Sequence, residues 1–210
     1  MTQSQLDEIG IKIYDRSSKP YGLTYGAWTV KWWQWALLTP LSVSPIADEL
    51  GEHWKTNQPP SDVWFFAGKF GSSDKKFPKR VITMPFGRSV LFPVLNCEAN
   101  PLEYPGLQTE EQLVGRVVDD VDTVVMKNCI INGINVTPQR VSSDPRVFPL
   151  TIDKDNPFNV KDGGNTYAAA DGFWVFLQPL REGYYTIEFE GSCEFGRLSS
   201  GAKYKLKVES

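Results

Sequence analysis

The stretch Thr24–Leu38, TYGAWTVKWWQWALL, constrains this chain more than any other, and it holds four of the seven tryptophans. At helical spacing Tyr25, Trp28, Trp32 and Trp35 share one face, while Val30, Trp33 and Leu37 share the next. Only a strip through Lys31 and Gln34 is left for water. A helix apolar around most of its girth is buried on more than one side. Thr24 is placed to cap its start, and Pro40 ends it because the residue before a proline is pushed out of the α region. Each buried indole removes about 150–250 Å² from water. Trp28, Trp32, Trp33 and Trp35 are therefore expected in the core, and the rest of the chain must supply the surfaces that cover them.

Those surfaces read as strands. The chain is 13% aromatic, with 17 glycines and 15 prolines as punctuation. Val63–Ala67 is apolar at consecutive positions, which predicts a strand covered on both faces. Arg80–Met84 and Ser89–Phe92 flank a tight turn at Pro85-Phe86-Gly87, and Val94-Leu95 extends the second of them beyond Pro93. Thr109 and Gln112 form a capping-box pattern ahead of Leu113, Val117, Val121 and Val124, which predicts a second helix over about 110–125. Asn132-Gly133 supplies the positive-φ pair of a hairpin turn. Arg146–Ile152 is a strand whose Pro149 indicates an edge or a bulge. Phe173–Leu177 is apolar on both sides. Near the C-terminus Tyr185, Ile187 and Phe189 alternate with Thr186, Glu188 and Glu190, and Tyr204, Leu206 and Val208 alternate with lysines, so one face is in the core and one in water. A short turn of helix is expected at Ala47–Leu50. Together these predict a mainly β single domain over 1–210: an antiparallel β-sandwich or jelly-roll-like fold, with the tryptophan helix (about 24–38) packed on it and the second helix outside. Residues 1–23 are expected to form a peripheral arm with one weak strand at Ile11–Tyr14.

Four stretches also carry a resemblance: Tyr25-Gly-Ala-Trp-Thr-Val-Lys-Trp-Trp-Gln-Trp-Ala, Val63-Trp-Phe-Phe-Ala-Gly, Val90-Leu-Phe-Pro-Val-Leu-Asn, and Ala170-Asp-Gly-Phe-Trp running on through Pro179-Leu180 to Gly191. On these the chain resembles a family of uncharacterised bacterial and archaeal proteins. The resemblance implies the architecture and no activity, cofactor or catalytic residue. Members often carry a secretory leader and cysteines around the Trp-Phe-Phe strand; the corresponding positions here hold no cysteine.

With 22 basic and 25 acidic residues and no basic stripe, a nucleic-acid partner is not expected. The first ten residues lack the basic and apolar regions of a signal peptide, and no apolar run reaches the roughly 18 residues needed to span a bilayer, so a cytoplasmic location and no membrane insertion are expected. Cys97, Cys129 and Cys193 are far apart without metal-ligand spacing and read as free thiols.

Candidate chemistry is thin. Trp54 stands among Glu52, His53 and Lys55 in a polar connection, as an exposed indole at a ligand site would. His53 is the single histidine, and no Gly-x-Ser-x-Gly elbow accompanies it. Asn96 and Glu98 end an apolar strand, where polar groups are held rigidly; with His53 and Trp54 they form the candidate ligand site. Glu98 and Glu103 are the pair a saccharide hydrolase would need. Asp153, Asp155, Asn159 and Asp162 offer hard oxygen ligands for calcium, without the glycine and glutamate of an EF-hand. Arg140 and Asp171 are expected to pair between loop and sheet. The leading reading is a non-enzymatic binding or interaction module for a small ligand, a glycan or a protein, without cofactor. The alternatives are a carboxylate-based hydrolase of saccharides and a structural subunit of a larger assembly. Self-association is left open.

Overall fold

The computed structural model describes residues 3–71, 77–194 and 198–210. The elements in chain order are α1 (Gln3–Glu8), α2 (Tyr25–Leu38), β1 (Val63–Phe65), β2 (Lys69–Phe70), β3 (Lys79–Pro85), β4 (Ser89–Ala99), α3 (Glu110–Asp122), β5 (Val124–Ile131), β6 (Ile134–Asn135), β7 (Gln139–Arg140), β8 (Val147–Ile152), β9 (Gly164–Leu177), β10 (Gly183–Cys193) and β11 (Ser199–Glu209). They build two sheets. The first runs β1-β4-β9, with β7 and β8 both on the far side of β9; the second runs β6-β5-β10-β11, with β2 and β3 on the far side of β11. Most pairings are antiparallel, as a β-sandwich requires, but β1 with β4 and β3 with β11 are parallel.

The turn at Phe86-Gly87 links β3 in one sheet to β4 in the other, so these two strands never pair with each other. Their patterns differ accordingly. β3 alternates buried and exposed residues, while all eleven residues of β4 are buried. β4 lies in a middle layer covered on both faces, where alternation has no meaning.

One face of the first sheet meets the second sheet. Val90, Phe92, Val94, Val175 and Leu177 pack there against Ile187, Phe189, Tyr204, Leu206 and Val208, with Phe92 stacked on Phe189 at 4.8 Å. The opposite face carries α2, whose indoles meet Leu91, Phe148, Leu150, Trp174 and Phe176. The Thr24 hydroxyl accepts from the Ala27 N–H at 3.1 Å. Trp28, Trp32, Trp33 and Trp35 are all buried. Three of their N–H groups donate to backbone carbonyls: Trp28 to Pro20 at 2.8 Å, Trp32 to Phe66 at 2.9 Å and Trp35 to Thr56 at 3.0 Å.

α3 carries the expected capping box between Thr109 and Gln112. It lays Leu113, Val117 and Val121 on Cys97, Ala99 and Ala169. It ends at Asp122, three residues short of expectation, because Val124 and Val125 already belong to β5, where Val124 pairs with Cys193 at the end of β10. Two further expectations are corrected. Ala47–Leu50 is turn and bend, and the short helical turn lies at Leu41–Val43. The N-terminal segment is no arm: Leu6 and Ile11 sit in the cluster between the sheets, and Ile13 bridges to Leu177. The Asn132-Gly133 turn, with φ of 48° and 79°, joins β5 to β6 as its sequence dictates. Pro149 lies in β8, which pairs with β9 alone, so its missing N–H costs no ladder bond. Cys97, Cys129 and Cys193 are free and buried. Among the described residues no helix is long and apolar enough to cross a membrane.

Candidate functional site

β1 pairs only with Ser89–Leu91, and the Phe66 N–H adds one bond to the Leu91 carbonyl. β4 continues to Ala99, so among the described residues its later half has β9 on one side and no strand on the other. Along this open edge lies a cavity of about 470 Å³, within the range of small-molecule sites. α2 contributes Trp33, and the end of β4 contributes Asn96 and Glu98. The turn after β4 brings Glu103 and Tyr104, α3 brings Arg116 and Asp120, and the loop before β9 brings Phe158.

The polar side of the cavity is a chain of contacts. The Asn100 amide donates to both oxygens of Glu98, at 3.1 and 3.2 Å. The Glu98 and Glu103 carboxyls are hydrogen-bonded to each other, and Glu103 also bonds Tyr104. Arg116 lies over the Tyr104 ring at 4.4 Å, reaches its hydroxyl at 3.3 Å, and donates to Asp120 at 2.7 Å. Burial raises the Glu98 carboxyl well above the usual glutamate range, and the neighbouring Glu103 raises it further. Burial also raises Glu103, though less, since Tyr104 and Glu98 donate toward it. Two carboxyls in contact away from water resist ionising together, so the pair keeps a proton to higher pH than free glutamates do. Burial and then Glu103 push the Tyr104 phenol up as well.

Several groups in this lining have nothing to bond. Among the described residues eight buried side-chain polar atoms lack a hydrogen-bond partner, and four of them belong to Trp33, Asn96 and Glu103. They are the indole N–H, both amide atoms and one carboxylate oxygen. Each such atom costs roughly 1–3 kcal/mol when left unmet. Two other hollows of about 400 and 380 Å³, one beside Val81 and Tyr184 and one beside Tyr14 and Gln139, have no such atoms in their walls.

The four residues singled out in the sequence as a ligand site divide. Asn96 and Glu98 line the cavity; His53 and Trp54 do not. Trp54 packs on Trp64 with ring centroids 5.5 Å apart, under the Lys55 ammonium. The His53 N–H donates to Asp48, whose carboxyl is pushed up by burial but held below its ordinary value by the backbone N–H groups of His53, Gly51 and Glu52. That loop is tied down by a carboxylate acting on backbone. The proposed calcium loop is organised in the same way. Asp153 accepts from the Asp155 N–H at 2.8 Å, and Asp155 accepts from the Ser42 N–H at 2.9 Å. Asn159 and Asp162 occupy positive-φ turn positions. No cluster of three or more His, Cys, Asp or Glu side chains suited to a metal occurs among the described residues. Arg140 bonds Asp171 at 2.9 Å and Asp122 at 2.5 Å, tying β7 to β9 and α3.

The Glu98–Glu103 contact also bears on saccharide hydrolysis. Retaining glycosidases hold their carboxyls about 5–5.5 Å apart and inverting ones further, to admit a water. Carboxyls bonded to each other leave no such gap. Cys97 lines the cavity too, but its thiol donates to the Val117 carbonyl at 3.4 Å, and burial raises it, so it stays protonated. Trp33, Tyr104, Arg116 and Phe158 carried no functional signal in the sequence. Only the unpaired indole distinguishes Trp33 from its neighbours on α2, and that depends on what lies opposite it.

No protein family and no curated protein matches the chain. Two solved structures are weakly similar. One, titled as the solution structure of Amebosin, has 9% identity over 62% of this chain and 89% of its own, at a TM-score of 0.21. The other, PbICP-C in complex with falcipain-2, has 12% identity over 71% of this chain and 100% of its own, at a TM-score of 0.28. Neither score carries an argument about this protein.

Proposed function

We propose that this chain is a non-enzymatic binding module that takes a small polar ligand in the cavity along the open edge of β4. One observation carries the reading: Trp33, Asn96 and Glu103, which hold four of the eight unpaired buried side-chain atoms among the described residues, all line one cavity. Buried polar groups are normally paired, and such a cluster is tolerated where a ligand completes it. Around it stand Trp33, Phe70 and Phe158, aromatic surface for the ligand's apolar part.

The test is a thermal-shift screen with fragments of four classes, namely amines, amides, polyols and carboxylic acids, with hits mapped by chemical-shift perturbation. Asn96→Leu serves as the control. It keeps the branching at Cγ, adds bulk that the cavity can take up, and removes two unpaired atoms, so its melting temperature should equal or exceed that of the wild type. Hits that perturb the amides around Asn96 and vanish in Asn96→Leu support the reading. Hits that map elsewhere, or no hit in any class, overturn it.

A further inference from the structure

The cavity wall is unbalanced in charge. Among the described residues, Glu98, Glu103, Asp120 and Glu194 line it against one cation, Arg116. That cation is already engaged, by Asp120 at 2.7 Å and by the Tyr104 hydroxyl and ring. Arg116 acts on Glu103 through space, but among the described residues neither Glu98 nor Glu103 has an ion pair of its own. An anionic ligand would meet two buried carboxyls and an Arg whose charge is answered elsewhere. A cationic one would meet carboxylate oxygens, one of them unpaired, and the unpaired Oδ1 of Asn96. The unpaired donors, Asn96 Nδ2–H and Trp33 Nε1–H, require an acceptor on the same ligand. Trp33, Phe70 and Phe158 supply apolar surface, and aromatic faces favour an organic cation further.

Resting on the binding reading above, we propose that the ligand is a small organic ammonium compound that also carries a hydroxyl or carbonyl oxygen. Its ammonium lies against Glu98, Glu103 and Asn96 Oδ1, its oxygen accepts from Asn96 Nδ2 and Trp33 Nε1, and its apolar body lies on the aromatic side. Binding has a proton balance. The free carboxyl pair holds one proton; an ammonium between the two carboxyls replaces that proton as counter-charge, and the proton leaves to solvent. Tyr104 and the thiols of Cys97 and Cys193 also face the cavity, but burial raises all three. They stay neutral near pH 7 and do not compete as the source. Binding should therefore tighten as pH rises toward the raised value of the pair, while an alkylammonium keeps its own charge.

Four probes on one skeleton separate the contributions: 2-amino-1-phenylethanol, 2-phenylethylamine, 1-phenylethane-1,2-diol and mandelate. Calorimetry on the intact chain should rank them in that order. The amino alcohol should bind at least ~10-fold more tightly than the diol, and mandelate should give no heat. The heat for the amino alcohol should vary with the ionisation enthalpy of the buffer, reporting proton release. Glu103→Gln should abolish both the preference for amine over diol and the buffer dependence; its melting curve shows whether the variant is folded. Glu8→Gln, an exposed residue of α1 outside the cavity, should leave both within ~2-fold. Equal affinity for diol and amine, tighter binding of mandelate, or buffer-independent heat overturns the cation assignment. If polyol or acid fragments bind in an Asn96-dependent way, the cavity stands and this inference falls; if no class binds, both fall.

Discussion

Trp32 and Trp33 are adjacent in sequence, both buried, and edge-to-face at 5.1 Å, yet they answer to different surroundings. Trp32 donates to the Phe66 carbonyl and packs on Trp174 at 5.5 Å in the middle of the α2 cluster. Trp32→Ala should cost roughly 3–5 kcal/mol. Trp33→Phe keeps one ring, and the unpaired donor it removes offsets part of the packing it loses, so it should cost well under the Trp32→Ala value, about 1 kcal/mol. Urea unfolding checks both; equal losses in the two variants would mean the α2 indoles are equivalent. Glu98 supplies a second prediction. Its carboxyl is held above the ordinary 4.5, so the folded state keeps a proton that the unfolded chain gives up. The stability linked to that proton is complete below 4.5 and is lost as pH rises through the raised value. Glu98→Gln cannot ionise, so its melting temperature should exceed that of the wild type at pH 8, with the advantage shrinking toward pH 4.5. An advantage that grew toward acid would reverse the sign and rule out the shared proton. Asp48 acts at the opposite end: held below its ordinary 3.8, it withdraws stability only in strong acid.

Elements were legible where local pattern and local chemistry agree. The Thr109–Gln112 capping box and the spacing of Leu113, Val117 and Val121 mark α3, and the structure holds both bonds of the box. Thr109→Ala should cost about 1 kcal/mol, read as a shift in the urea midpoint with unchanged slope; no shift would mean that α3 is set by packing alone. The end of α3 was not legible, since Val124 continues the helical spacing as well as it begins β5. The Phe86-Gly87 turn was legible as a turn, but whether it joins paired strands or crosses between sheets depends on β11, more than a hundred residues downstream. Register with distant strands leaves no local trace. The cavity was half legible for the same reason. Asn96 and Glu98 stood out because they end an apolar strand, and Glu103 stood out as a second carboxylate. Trp33, Tyr104, Arg116 and Phe158 joined them only through the fold. Trp54 misled because a tryptophan among charged residues looks fully exposed in sequence, whereas it is half-buried against Trp64.

In the whole molecule the sequence's two demands, cover for the tryptophan helix and partners for alternating strands, are met by a middle sheet with α2 on one face and the second sheet and α3 on the other. The cavity lies where that middle sheet outruns its first strand. Its walls come from α2, the end of β4 and the turn after it, α3, the loop before β9 and the end of β10. No single one of these stretches can open while the others hold a guest in place. A ligand there is therefore linked to global rather than local opening. Under native-state hydrogen exchange it should slow the amides of β10 and β11 as much as those of β4, by about 2.7 kcal/mol at a concentration 100-fold above Kd. Protection confined to the turn after β4 would assign the guest to a surface loop instead. A proteolytic piece of the chain, however well it kept its helices, would inherit none of the site.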